Sequence, residues 1–387
     1  MNEFKKIIII GPTNPYRGGN SLFISHLYDI LKDNFQVKIY NYKLLYPSLF
    51  FPGTTQYDKS EKIIKRTPSV RIINSISPLN WIKVALQLNK EDADLVVFDW
   101  WHPFFSLCHF TISFLIRKRY FKKTIFITEN VVSHESNLID KLLTKIGLRN
   151  ASSFLVLSDK VAKELNSFAC NKNIYKSELP IYDCYKNQDT IDIKSLRAEF
   201  NYSQRNKVLL FFGYVRKYKG LDVLLEAMSD LISSDNSFRL LVVGEFYDNE
   251  NNYQAIINTL NIRNYVQIIN RFVSNEEVVK YFMLSDCVVL PYKDATQSGV
   301  LNIAYGFQKP AIVTNVGGLA EFVDNEKTGL IVNICSKEEI VNGINRFYKL
   351  GEKIDFVDNI KNRISANLFN KIPQLFDKII EESNYGS

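Results

Sequence analysis

Leu209-Leu210-Phe211-Phe212-Gly213-Tyr214-Val215-Arg216-Lys217-Tyr218-Lys219-Gly220-Leu221 carries three signals in thirteen residues. An apolar β-type run stops at Gly213, the cations Arg216, Lys217 and Lys219 follow, and Gly220 opens a helical pattern. Strand, small residue and helix in that order aim backbone N–H groups at one place, here with cations beside them. An anion belongs there, and a nucleotide diphosphate is the natural candidate. A second loop of the same kind, Gln297-Ser298-Gly299-Val300-Leu301, runs on to Lys309-Pro310-Ala311-Ile312-Val313.

Outward from these loops, strands are expected at 207–212, 238–243, 265–269, 287–290, 311–314 and 330–332, with helical patterns between them. The N-terminal half alternates in the same way. Lys6 to Ile10 runs into Gly11-Pro12, and after Arg17-Gly18-Gly19-Asn20 the segment Ser21 to Leu31 has helical spacing. Val37–Tyr40, Asp94–Phe98, Thr124–Thr128 and Phe154–Leu157 read as further strands, Trp81–Leu88 and Phe104–Ile116 as helices. Residues 43–80 read as a long irregular excursion. The pattern predicts an α/β protein of two doubly wound, Rossmann-like parallel sheets with a cleft between them. The turn-prone Leu179-Pro180-Ile181-Tyr182-Asp183 is the expected linker, so domains 1–183 and 184–365 are expected. A C-terminal segment, 366–387, contains an amphipathic helix over Pro373–Glu381 and is expected to pack back toward the first domain.

The 387 residues are too many for one ordinary core. Residues 1–183 hold 25 Lys and Arg against 16 Asp and Glu (+9), residues 184–387 hold 23 against 25 (−2). The first half therefore suits an acidic partner: nucleic acid, an anionic membrane surface or a phosphorylated acceptor. No recognition helix or base-stacking motif accompanies the charge, which argues against nucleic acid. Five scattered cysteines without metal spacing read as reduced thiols. The polar N-terminus and the lack of a long apolar run predict a cytoplasmic protein, with peripheral attachment to the inner face of the membrane as an option.

The order of these motifs resembles the family-four retaining glycosyltransferases, the glycosyltransferases group 1, of GT-B fold. Five pieces carry the resemblance: Gly18-Gly19; Phe212-Gly213 through Lys219-Gly220; Leu241-Val242-Val243-Gly244-Glu245; Ser285-Asp286-Cys287-Val288-Val289-Leu290-Pro291; and Gly317-Gly318-Leu319-Ala320-Glu321 with Thr328-Gly329-Leu330. The resemblance implies transfer of a sugar from a nucleotide-diphosphate donor to a hydroxyl acceptor, in the setting of bacterial surface polysaccharide or glycolipid assembly. This chain departs from the family in two places. Tyr214 stands where the family has Arg, with Arg216 two residues later. Ala295 and Ile303 stand where it commonly has two glutamates.

By this resemblance Gly213, Arg216, Lys219, Gly244, Gln297, Ser298, Gly299, Val300 and Leu301 form the donor site. Arg216 and Lys219 face the phosphates, and Glu321 takes the ribose hydroxyls. Gly18 and Gly19 form an acceptor or phosphate loop, and Phe272 and Val273 are candidate neighbours of the base. The segment Thr128-Glu129-Asn130-Val131-Val132-Ser133-His134-Glu135 resembles the one that holds a catalytic or donor-contacting histidine, often at the position of Glu129. His134, Glu129 and His102 are the catalytic candidates. No metal-ligand spacing is apparent, so no metal and no cofactor beyond the nucleotide sugar are expected. The other expected partner is a saccharide or lipid-linked saccharide acceptor. Phe104–Lys123 and Phe50-Phe51-Pro52 are membrane-facing candidates, with a buried helix as the competing reading. A nucleotide-sugar epimerase and a non-catalytic nucleotide-sugar-binding subunit are the alternatives on this fold.

Overall fold

The computed structural model describes residues 4–48, 51, 53–131, 138–168, 171–185, 191–334 and 336–385. Strands β1 (Lys6–Ile10), β2 (Gln36–Leu44), β3 (Val70–Asn74), β4 (Leu95–Trp100), β5 (Thr124–Thr128), β6 (Ser153–Val156) and β7 (Asn173–Lys176) form one parallel sheet in the order β3-β2-β1-β4-β5-β6-β7. A second parallel sheet holds β8 (Lys207–Phe212), β9 (Phe238–Val243), β10 (Val266–Ile269), β11 (Cys287–Leu290), β12 (Ala311–Thr314) and β13 (Gly329–Val332), in the order β10-β9-β8-β11-β12-β13. Strand order reverses beside β1 and beside β8, which opens a crevice at the C-terminal edge of each sheet.

Helices α1 (Gly19–Leu31), α2 (Pro78–Leu88), α3 (Ser106–Ile116), α4 (Leu138–Gly147) and α5 (Asp159–Asn166) belong to the first half. In the second half lie α6 (Ile193–Glu199), α7 (Leu221–Ser234), α8 (Glu250–Thr259), α9 (Asn275–Leu284), α10 (Gly299–Gly306), α11 (Lys337–Gly351), α12 (Phe356–Ser365) and α13 (Ile372–Tyr385). The four isoleucines of β1 show why the strands are continuously apolar. Ile8 and Ile10 pack with Val84 and Leu88 of α2 and Ile112 of α3, while Ile7 and Ile9 pack with Phe23 and Leu27 of α1. Neither face of the strand meets water.

Helix α13 lies on that second face, with Ile372, Phe376 and Ile380 fully buried among the β1 and β4 side chains. The chain thus crosses between the halves twice, and Glu178 ties the crossings together by accepting two hydrogen bonds from Arg363 (3.1 and 3.0 Å). Two short strands escape the sequence pattern. β3 lies inside the stretch read as irregular, and β7 follows it on the opposite edge; both are partly exposed and carry charge, Arg71 and Lys176. The rest of the excursion also reaches the second half. Thr54 Oγ1 donates to Glu245 Oε1 (2.7 Å), and Asn275 donates through its N–H to Ser60 (2.9 Å) and through Nδ2 to Asp58 (2.9 Å). Cys108, Cys184 and Cys287 are free thiols; Cys170 and Cys335 lie outside the described residues.

Candidate active site between the two sheets

A cavity of about 330 Å³ opens between the C-terminal edges of the two sheets. The segment after β8 shapes one wall. Gly213 leaves the strand with φ +99°, and Gly244, which follows β9, has φ +137°. A Cβ on Gly244 would sit 2.2 Å from the Gly213 carbonyl oxygen, so the two turns meet backbone to backbone and only glycine fits. Beyond Gly213 a single 3-10 turn, Lys217–Lys219, folds the Lys219 side chain inward, where it is 8% exposed and lines the cavity. Burial, and then the charge of Arg216, lower the Lys219 pKa from 10.5 to about 7. Among the described residues no carboxylate pairs with it. A buried ammonium in that state is stabilised by an arriving anion.

Two helix N-termini converge on the same space. Gly299 and Val300, in the first turn of α10, line it, as do Gly18, Gly19 and Ser21 at the start of α1. Neither helix has a side-chain cap at its N-cap residue, Ser298 or Gly18. Their first N–H groups have no intrahelical partner and are free for a ligand. A second cluster is aromatic and charged. Arg17 and Glu245, each with a side chain 7% exposed, approach to 2.5 Å across the cleft. The Arg17 guanidinium lies 4.9 Å from the Phe272 ring centroid and 5.6 Å from that of Tyr214. Arg17 Nη2 is engaged by the Glu245 carboxylate as an ion pair without aligned hydrogen-bond geometry, and Arg17 Nε has no acceptor among the described residues. Arg17 itself is among the residues that line the cavity.

Glu129 lies just past the end of β5. Asn20 Nδ2 of α1 donates to its Oε1 (2.9 Å), and fully buried Asp99 of β4 is its other neighbour. Burial, then the Glu129 carboxylate, push Asp99 well above the ordinary range. Glu129 is itself raised by burial, against the hydrogen bonds of Asn20 and Asp99. Burial therefore holds both carboxyl groups above their ordinary range, with Glu129 tied to the start of α1 through Asn20.

The other sequence candidates divide. Gly213, Lys219, Gly244, Gly299, Val300, Gly18, Gly19, Phe272 and Val273 all line the cavity. Arg216 does not: it stands with its guanidinium 4.9 Å from the Tyr247 ring centroid, near enough to lower the pKa of both Lys219 and His102. Leu301 is wholly buried core, Ser298 hydrogen-bonds Tyr292, and the buried Gln297 Oε1 has no partner among the described residues. Glu321 has another task. Its carboxylate accepts the backbone N–H groups of Asp159 (2.8 Å) and Lys160 (3.2 Å), capping α5 of the other half, so it is not turned to a ribose in this cavity. His102 caps the turn that leads into α3, accepting the Phe104 N–H at Nδ1 (3.1 Å), and burial lowers its pKa. His134 lies outside the described residues. Ala295 is buried, and Ile303 gives the cavity an apolar wall.

Sequence reasoning missed Arg17, Asp99 and the contribution of residues 53–65. Asp99 carried a readable signal, an acid inside the apolar strand Leu95-Val96-Val97-Phe98-Asp99-Trp100. Among the described residues no three His, Cys, Asp or Glu side chains gather as a metal-ligand set.

Residues 192–363 match the family described as "Glycosyl transferases group 1". An uncharacterized glycosyltransferase of Methanocaldococcus jannaschii is 24% identical over 347 residues, 88% of each chain. Two solved structures share the fold, which is GT-B. Sucrose-phosphate synthase from Thermosynechococcus elongatus has a TM-score of 0.71 at 17% identity, over 99% of this chain and 100% of its own. HepE from Anabaena, in complex with UDP-glucose, has a TM-score of 0.73 at 16% identity, over the same shares of the two chains.

Proposed function

We propose that this protein, whose residues 192–363 match the group 1 glycosyl transferases, moves a sugar with retention from a nucleotide diphosphate to a hydroxyl acceptor. The observation that carries the reading is the buried Lys219 ammonium, paired with no carboxylate among the described residues and set among the uncapped N-termini of α1 and α10. That the Anabaena neighbour is in complex with UDP-glucose supports the choice of donor. Retention rests on the family resemblance.

The leaving diphosphate gathers negative charge as the glycosidic bond breaks. Lys219 and the first N–H groups of α10 are preorganised for that charge in the cleft. The reading places no metal ion in this step. Arg17 serves the nucleotide beside Phe272, and Glu129, held by Asn20, works at the sugar in place of a histidine. Ala295 and Ile303 leave the donor sugar without the two carboxylates, so backbone N–H groups hold its hydroxyls. The acceptor is a saccharide or lipid-linked saccharide of bacterial surface glycan assembly, met on the cytoplasmic side. A name among the relatives, lipopolysaccharide 1,2-N-acetylglucosaminetransferase of Salmonella typhimurium, supports that setting.

The test is incubation with a panel of nucleotide sugars and saccharide acceptors, reading nucleotide release and, by NMR, the anomeric configuration of the product. Transfer with the donor's anomeric configuration kept is expected. Inversion would refute the retaining step. Saturable donor binding with no turnover on any acceptor would point to a non-catalytic binding subunit.

A further inference from the structure

We infer that the outer face of α2, α3 and α4 is a docking surface for an anionic lipid bilayer. The three helices pack side by side, α2 on α3 and α3 on α4, on one face of the N-terminal sheet. The inner stripes of α2 and α3, such as Val84 and Leu88 or Cys108 and Ile112, are buried in the core beneath. Their outer stripes should be polar, yet α2 exposes Leu79 (73%), Ile82 and Leu86 at helical spacing. Leu107, Phe114 and Leu115 are exposed on α3, and Leu138 (83%), Ile139 and Leu142 on α4. Phe121, just beyond α3, is 73% exposed. Most of the exposed large apolar side chains of the described residues therefore fall on one layer, more than scattered surface hydrophobicity explains.

The charge on the same layer identifies the occupant. Across residues 78–88, 106–123 and 138–147 there are eight Lys or Arg and one acid, Asp140; one of the eight, Arg119, pairs with Asp92 just past α2 (3.3 Å). Several of these cations are exposed beside the apolar stripe, and two sit against its aromatic rings. The Arg117 guanidinium is 3.9 Å from the Phe114 centroid, and Lys122 Nζ is 5.7 Å from that of Phe121. Apolar side chains with cations at their margin suit the boundary between acyl chains and anionic headgroups, where long basic side chains reach outward. A nucleic acid would leave the leucines in water, and a basic protein partner would be repelled. Among the described residues no helix is long and apolar enough to cross a membrane, so the contact is with its surface. Helices α3 and α4 start from the sheet edge on which the cavity opens, so docking brings the cleft to the headgroup plane. That consequence, for a lipid-linked acceptor, rests on the transferase reading; the docking itself does not.

The experiment is flotation of the whole protein with vesicles of phosphatidylcholine alone or containing phosphatidylglycerol, at low and high salt. Binding only to the anionic vesicles, reversed by salt, is expected. Arg117→Gln with Lys118→Gln should weaken partitioning roughly 30-fold, about fivefold per lost cation. Leu79→Ser with Leu142→Ser should weaken it as well. None of these residues lines the cavity, so nucleotide-diphosphate affinity should stay at the parent value and report an intact fold. The inference is overturned if the parent fails to float with anionic vesicles at low salt, or if the variants float as well as the parent. It is also overturned if the parent is an oligomer that the leucine variants dissociate, which would make the layer a protein interface.

Discussion

Lys219→Met should move two quantities in opposite directions. In the unliganded protein the ammonium is buried with no carboxylate partner among the described residues, and its pKa falls from 10.5 to about 7. Folding therefore disfavours the charged form. The penalty is fully present below about pH 7 and fades as pH rises toward 10.5, the value in the unfolded chain; it amounts to roughly 5 kcal/mol at most. An unbranched apolar side chain of similar length removes it, so the variant should unfold later than the parent at pH 6–7 and show no advantage above pH 10. With a nucleotide diphosphate present the sign reverses, because a charge-assisted contact to phosphate is lost; about 2–4 kcal/mol, or roughly 30- to 800-fold in Kd, is expected. Calorimetry adds a third readout. Binding of the anion restores the lysine toward its ordinary pKa, so the parent should take up a proton on binding near pH 8 and the variant should not. The pH series by thermal denaturation and the titration in buffers of differing ionisation enthalpy check all three. Unchanged diphosphate affinity, or a variant that merely unfolds earlier, would mean that Lys219 is a structural residue and would refute the reasoning.

Glu129→Gln keeps an acceptor for Asn20 but cannot ionise. The Glu129 pKa lies above its unfolded 4.5, near 7, so the parent loses stability as pH rises through that interval; the variant should flatten the slope in denaturation midpoints, and a fall in kcat of about 10²–10⁴ would mark a proton-transfer role. Gly244→Ala must fit a Cβ 2.2 Å from the Gly213 carbonyl at φ +137°, so a loss of at least 1–3 kcal/mol in chemical denaturation is expected together with weakened nucleotide affinity. Glu321→Gln should leave nucleotide affinity within about threefold of the parent while the α5 cap weakens by a fraction of the ~1 kcal/mol typical of caps; a large loss of affinity in the titration would return Glu321 to the ribose.

The central strands of both sheets were legible because a parallel strand covered on both faces must be apolar throughout, as Ile7–Ile10 and Val208–Phe211 are. β3 and β7 were not, since their partly exposed edge positions tolerate Arg71 and Lys176 and break the pattern. The same logic divides the site. Lys219, Gly213, Gly299 and Val300 are positioned by local strand-to-helix turns, which spacing reveals. Arg17 and Glu245 come together only when the halves meet, and nothing local signals that pairing. For Glu321 the sequence suggests a ligand role, and its hydrogen-bond partner in the structure, the N-terminus of α5, lies some 160 residues away in the chain. Asp99 needed only the observation that an ionisable group interrupts a buried strand.

Diffraction from crystals grown with UDP tests the central claim most directly. The account predicts diphosphate oxygens within hydrogen-bond distance of Lys219 Nζ and of the Gly299 or Val300 N–H. A diphosphate bound elsewhere on the molecule, or one in the cleft with Lys219 turned away from it, would contradict the account.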